Sequence, residues 1–252
     1  MVPSSVTEAS NTSIAADPPR YGGYARPIFA GLLIAAAGLV PWLLMAKLNA
    51  TVRPDLPWAA LLTLIYLVAL LAWLNGAGPP RSTASQRRQR LRLWPTRARD
   101  ASGGFALSSG ALVALLGLLY LLWIMVGRLS PTPDLTAYAT TSYRWSLFLM
   151  YGLVAGIVEE AAFRGYMQTG LERHHPHNAL WVTSLVFVAV HFTHGVGVIL
   201  LAPGLFIASM LYGMLARQSG TILPGMAIHV VGDLAYMYFG VLRGDSSLLF
   251  VT

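Results

Sequence analysis

The chain has 252 residues, 56% of them hydrophobic and 11% charged, with a formal net charge of +7 and a mean hydropathy of +0.59. Long apolar runs at that composition exclude an ordinary soluble domain and point to an integral membrane protein. There is no cysteine, which excludes disulfides, thiolate metal sites and a cysteine nucleophile together.

Residues 1–26, rich in Ser, Thr, Ala and Pro, are expected to form a disordered tail. No basic region directly precedes a short apolar core there, so a signal peptide is not expected. Candidate spans follow at residues 27–48, 56–74, 105–126, 145–167, 179–195, 196–216 and 221–242, each near the roughly 20 residues that cross about 30 Å of hydrocarbon. His191, His194 and the glycines after them blur the junction of the fifth and sixth. The runs lack the two-residue alternation of a membrane barrel, so the expected fold is all-α, a polytopic bundle of about seven to eight transmembrane helices. Three variable helices would occupy residues 27–126, and a core bearing the polar motifs residues 145–242.

Most of the net charge sits in one loop. Between residues 75 and 104 lie Arg81, Arg87, Arg88, Arg90, Arg92, Arg97 and Arg99 against the single acid Asp100. Basic loops beside spans mark the cytoplasmic side, which places the amino terminus inside as well, with anionic lipid as a natural contact. Nothing in the chain supports a nucleic-acid partner. Arginine greatly outnumbers lysine and Ala and Gly abound, a composition typical of a GC-rich bacterial gene and hence of a bacterial plasma membrane.

Glu159 and Glu160 stand side by side in the fourth span of a chain with ten acidic residues. A charge at membrane depth costs about 2.5 to 3.5 kcal/mol on insertion scales, so two in a row need partners or a task. Glu160 and Arg164 are four apart and can pair on one helical face, whereas Glu159 is turned about 100° away. His229 and Asp233 are four apart too, as are Phe187 and His191. At about 1.5 Å per residue, Glu159 and His229 lie about 12 Å from the inner edge of their spans and His191 about 18 Å. Three helices thus bring polar groups to one layer. His174, His175 and His177 look like metal ligands by composition alone and are expected in a polar interfacial loop.

Taken in order, these residues read E-E-x-x-x-R, F-x-x-x-H and H-x-x-x-D. The pattern resembles the CPBP family, the CAAX protease and bacteriocin-processing group also called Abi, related to the Ras-converting CAAX endopeptidase. The flanking F-R-G-Y-M-Q and S-G-T-I-L-P-G-M-A-I-H agree, and the resemblance covers about residues 147–238. It implies an intramembrane endopeptidase whose catalytic core is residues 145–242, cutting a peptide bond near the cytoplasmic face. Glu159 would activate water with the help of His191, and His229 and Asp233 would stabilise the oxyanion, with Glu160, Arg164 and Phe187 supporting them. The substrate would be a peptide or membrane protein, which a lipid could modify.

Asp233 departs from the family, because the CAAX endopeptidases carry asparagine there. An ionised aspartate accepts hydrogen bonds but donates none. It could instead orient His229, or join Glu159, His191 and His229 around zinc. Both routes stay open, and the expectation is one without an obligatory metal. A non-catalytic immunity or partner-binding protein of the same fold is the alternative, and a proton-coupled transporter lacks the inverted repeat it would need. A reporter inserted between Arg81 and Arg99 is expected to appear in the cytoplasm; external labelling would overturn the orientation.

Overall fold

A computed structural model describes residues 23–53, 55–94, 108–118, 141–194 and 198–237, with side chains except those of 141–149, 194, 198, 236 and 237. Helix α1 is Ala25–Val52, α2 Trp58–Leu74, α3 Ala84–Leu91 and α4 Ser108–Leu118. Helix α5, Thr141–Glu159, runs without a break into a π-helical segment, Glu160–Gln168, and a final α-helical turn, Thr169–Glu172. Helices α6 (Ala179–His191), α7 (Val198–Ser219) and α8 (Leu223–Met237) complete the set. Among the described residues there is no strand, and the fold is all-α as expected. Two helices, α1 and Ile199–Ser219 of α7, are long and apolar enough to cross a membrane, while α2, α4, α6 and α8 are apolar but shorter. The expected tail to residue 22, the ends of the third span, the junction at 195–197 and the end of the last span at 238–242 lie outside the described residues.

Helix α1 shows why these apolar runs are not soluble-core helices. Phe29, Leu33 and Val40 are 67%, 57% and 47% exposed and fall on one stripe at i, i+4 and i+11, a face with hydrocarbon as its natural solvent. The opposite face packs on α5. Without a hydrophobic drive between helices in lipid, close backbone approach at small residues supplies the packing. A Cβ on Gly38 would stand 2.4 Å from Val158 Cγ1, and one on Gly31 would stand 2.8 Å from Met167 Cβ. On the other side of α5, Gly152 and Gly156 make a G-x-x-x-G face against α8. Cβ atoms there would meet Leu234 and Val230 at 2.7 Å. Helix α5 is therefore clamped between α1 and α8.

The basic loop is more than a topological marker. Part of it folds as α3, whose Arg87 is buried and donates to the carbonyls of Trp73, Ala77, Gly78 and Pro80. Buried Leu91 sits over Gly165 of the π segment, where a Cβ would come 3.2 Å from the Leu91 carbonyl. Arg92 then ends α3 in the left-handed region at φ 52°. Its carbonyl accepts from Ile222 N–H, and that of Leu93 accepts from Thr221 Oγ1, so the loop is tied to the start of α8. Sequence periodicity misses α3 because its eight residues, ASQRRQRL, carry almost no apolar signal.

Arg92 also pairs with Glu172, which meets Arg217 Nε at 3.0 Å and Gln168 Nε2 at 2.9 Å. Burial pushes the Glu172 carboxyl up, but Arg92 and the bonds from Gln168 and Arg217 outweigh it and hold the group below the usual carboxylate range. In the histidine-rich loop, as elsewhere among the described residues, His174, His175 and His177 form no group of metal-holding side chains. His175 stacks on Tyr24 with ring centres 3.9 Å apart, and Asn178 donates to the Tyr24 hydroxyl.

Replacing Gly156 with Val is expected to push α5 off α8 and lower stability by about 1 to 3 kcal/mol, the usual cost of overpacking, read as a lower melting temperature in detergent. Gly110→Ala is the control, since nothing lies within 4 Å of its Cβ position.

Candidate active site

Helix α5 continues past the end of the fourth expected span, and its π segment and last turn carry polar residues on a ladder. Glu160, Arg164, Gln168 and Glu172 follow one another at four-residue steps, and the first three are fully buried. In a regular α-helix each such step turns about 40°, so the last would drift about 120° from the first. The π segment closes wider turns, through i→i+5 bonds, so it turns less per residue and runs counter to that drift. Helix α7 answers at the same interval. Arg164 Nη2 donates to Ser209 Oγ at 3.0 Å, Gln168 Nε2 to the Gly213 carbonyl at 3.0 Å, and Glu172 takes Arg217 Nε at 3.0 Å. Gly213 lacks a Cβ where one would stand 2.7 Å from Gln168 Oε1.

At the top of this ladder lies the cluster. Arg164 Nη1 is 3.2 Å from Glu160 Oε1, a charge contact between two side chains with no exposed surface. The pairing expected from their spacing is present. Arg164 is also enclosed by rings, its guanidinium carbon 4.6 Å from the Phe187 ring centre and 5.0 Å from that of Tyr212. Flat aromatic faces stabilise a desolvated cation in a way that aliphatic neighbours do not.

His229 joins α8 to both glutamates. Its Nδ1 lies 3.0 Å from Glu160 Oε1, within hydrogen-bond range, while Nε2 is 3.7 Å from Glu159 Oε2 and 3.7 Å from Asp233 Oδ2. The carboxylate that bonds the ring is therefore Glu160, across the helix interface, and not Asp233 on the ring's own helix. Tyr212 stacks on the other side of His229, with ring centres 4.9 Å apart and planes at 22°. Glu159 and Glu160, neighbours in sequence, differ as helical geometry requires: Glu160 is sealed, and Glu159 keeps 14% of its side-chain surface.

His191 reaches this assembly through Phe187. Its ring centre is 4.4 Å from that of Phe187, and its Nδ1 lies 2.7 Å from the Phe187 carbonyl, which accepts the Nδ1 proton. That tautomer leaves Nε2 as the basic nitrogen. Phe187 itself packs edge-on against Phe163 at 5.1 Å, so α6 is fixed to the π segment one turn from His191.

Three buried oxygens around the cluster, Glu160 Oε2, Asp233 Oδ2 and the Tyr212 hydroxyl, make no hydrogen bond among the described residues. A buried polar atom without a partner calls for an explanation, and a catalytic role or a water to be received is one. Gly225 leaves the space for Glu160, since a Cβ there would stand 3.0 Å from Oε2. Among the described residues no group of three His, Asp or Glu side chains is gathered so as to hold a metal ion.

Residues 141–235 match the family model of the type II CAAX prenyl endopeptidases, Rce1-like. The match runs from the first residue of α5 into α8 and contains all three motifs. The similarity to these membrane-integral proteases is thus confined to α5 through α8, with α1 to α4 outside it. Neither the curated proteins nor the solved structures give a match to the chain.

Sequence reasoning does not single out Tyr212, because an aromatic residue in an apolar run reads by default as lipid-facing or packing. The usable signal is its offset of three from Ser209, which puts it on the α7 face that meets Arg164. Arg164→Leu is expected to cost about 3 to 5 kcal/mol, because it strands Glu160 as an uncompensated buried charge. The double variant Glu160→Gln/Arg164→Leu should recover a substantial part of that loss in thermal unfolding.

Proposed function

We propose that the protein is an intramembrane endopeptidase that hydrolyses a peptide bond near the cytoplasmic face of a bacterial plasma membrane. Residues 145–242 are its catalytic core, residues 27–126 a variable part, and seven to eight helices would complete the bundle. The observation that carries the reading is the placement of His229, whose Nδ1 is held by Glu160 while Nε2 faces Glu159 and Asp233 at 3.7 Å each, inside the segment that matches the CAAX endopeptidases.

Peptide hydrolysis needs a base to take a proton from water and a preorganised donor where the carbonyl oxygen becomes an anion. Glu159 suits the first task because it keeps some solvent access and is not consumed by the Arg164 pair. His191, its Nδ1 proton committed to the Phe187 carbonyl, offers Nε2 to the same water. His229 suits the second. With Nδ1–H given to Glu160, its Nε2 donates only as imidazolium, and a distance of 3.7 Å to both flanking carboxylates leaves that donor to a third acceptor between them. Asp233, which cannot donate when ionised, then serves the oxyanion indirectly, its charge favouring the imidazolium 3.7 Å away. The proton taken by Glu159 would pass to the leaving amine as the tetrahedral intermediate collapses.

A peptide or membrane-protein substrate, with or without a lipid, would enter along the layer of Glu159. Glu159→Ala and His191→Ala are each expected to lower cleavage of a membrane-embedded peptide reporter by about 10² to 10⁴-fold, the usual range for acid–base groups, without changing the melting temperature. Turnover unchanged in both would sink the assignment. Complete inhibition by a chelator, restored by zinc, would replace this route by a metal-dependent one.

A further inference from the structure

The same end of the bundle that holds the basic loop gathers arginines that the reaction does not use. Pro27, next to Arg26, packs on Gly170 so closely that a Cβ there would stand 2.9 Å from Pro27 Cβ. The Arg90 carbonyl would lie 3.6 Å from a Cβ on Gly165. Arg173 follows Gly170 by three residues and donates to Gln89 Oε1 of α3 at 3.3 Å. Three arginines from α1, α3 and the end of α5 therefore converge on one helix terminus. No carboxylate pairs with any of them among the described residues. Arg90 Nε is buried without a hydrogen-bond acceptor, and burial, then Arg173, then Arg26 all disfavour the Arg90 charge. Three like charges brought together with no counterion on the protein need an anion from elsewhere.

Helix α1 indicates the source of that anion. Arg26 begins a stripe that continues through Phe29, Leu33 and Val40, at i+3, i+7 and i+14, all exposed. A cationic end joined to an apolar face matches one phospholipid, with phosphate above and acyl chain below. Tyr24, stacked on His175, adds the amphipathic ring typical of the headgroup level. We infer that Arg26, Arg90 and Arg173 form a binding site for the phosphate of an anionic phospholipid whose acyl chain lies along the Phe29 and Leu33 face of α1.

The test uses the full chain, purified in zwitterionic detergent and titrated with phosphatidylglycerol, phosphatidylcholine or inorganic phosphate, with bound lipid counted by native mass spectrometry. Phosphatidylglycerol should be retained and phosphatidylcholine should not. Arg26→Gln and Arg173→Gln should each weaken retention about fivefold, and together about thirtyfold, at about 1 kcal/mol for each basic group. Both side chains are exposed, so the unliganded melting temperature should hold, and the single variants serve if the double does not fold. Arg81→Gln/Arg88→Gln removes the same charge from the neighbouring basic loop and should change retention by less than about threefold. Equal weakening by that pair, equal retention of phosphatidylcholine, or displacement of the lipid by millimolar phosphate would each overturn the inference.

Discussion

The buried contact of Glu160 with Arg164 is the constraint to which the rest of the core answers. An ion pair with no exposed surface recovers little of its desolvation cost by attraction alone, and it persists only where further groups satisfy it. Here they come from three other helices. Ser209 of α7 accepts from the guanidinium, Phe187 of α6 and Tyr212 of α7 cover its faces, and His229 of α8 bonds the carboxylate. Each helix is thereby fixed at the same depth, and the proposed reacting groups are all one residue or one turn from a member of that set. Removing the pair would loosen the positions of Glu159, His191 and His229 together.

The π segment and the glycines make that arrangement geometrically attainable. A π stretch gives up regular α-helical hydrogen bonding, a local cost that persists only when tertiary structure compensates. The compensation is the ladder against α7, where Ser209, Gly213 and Arg217 repeat at the same four-residue interval as Arg164, Gln168 and Glu172. On the other two sides α5 is held by backbone approach at Gly31 and Gly38 of α1 and at its own Gly152 and Gly156. The helix that carries the costliest residues is thus also the most enclosed, which keeps the charges out of hydrocarbon and the apolar stripes of α1, α2 and α6 in it.

Much of this was legible from spacing, and the reason is that helices encode it locally. Apolar length placed the helices among the described residues to within a few residues, and four-residue offsets paired Glu160 with Arg164, His229 with Asp233 and Phe187 with His191 on common faces. What spacing within one helix does not carry is the choice between partners on different helices. Asp233 was a natural orienter for His229 by offset, yet the ring bonds Glu160 because α5 and α8 meet at glycines, and only the packed pair reveals it. Helix α3 escaped for a different reason. Its stability comes from Arg87 collecting backbone carbonyls of the preceding turn and from one buried leucine, neither of which makes a periodic hydrophobic signal.

The basic loop has a structural task of its own in the ladder. Arg92 closes α3 in a left-handed turn and reaches Glu172, the last rung, while its carbonyl holds the start of α8. One residue of the loop therefore touches both the helix that carries the two glutamates and the helix that carries His229. Any motion that separates α5 from α8 must either break that tie or move the loop with it. Because the tie sits at the polar end and the ion pair is deep in the bundle, the two helices are pinned at two levels. Two pins hold an angle as well as a distance, which is what a histidine set between carboxylates on facing helices requires.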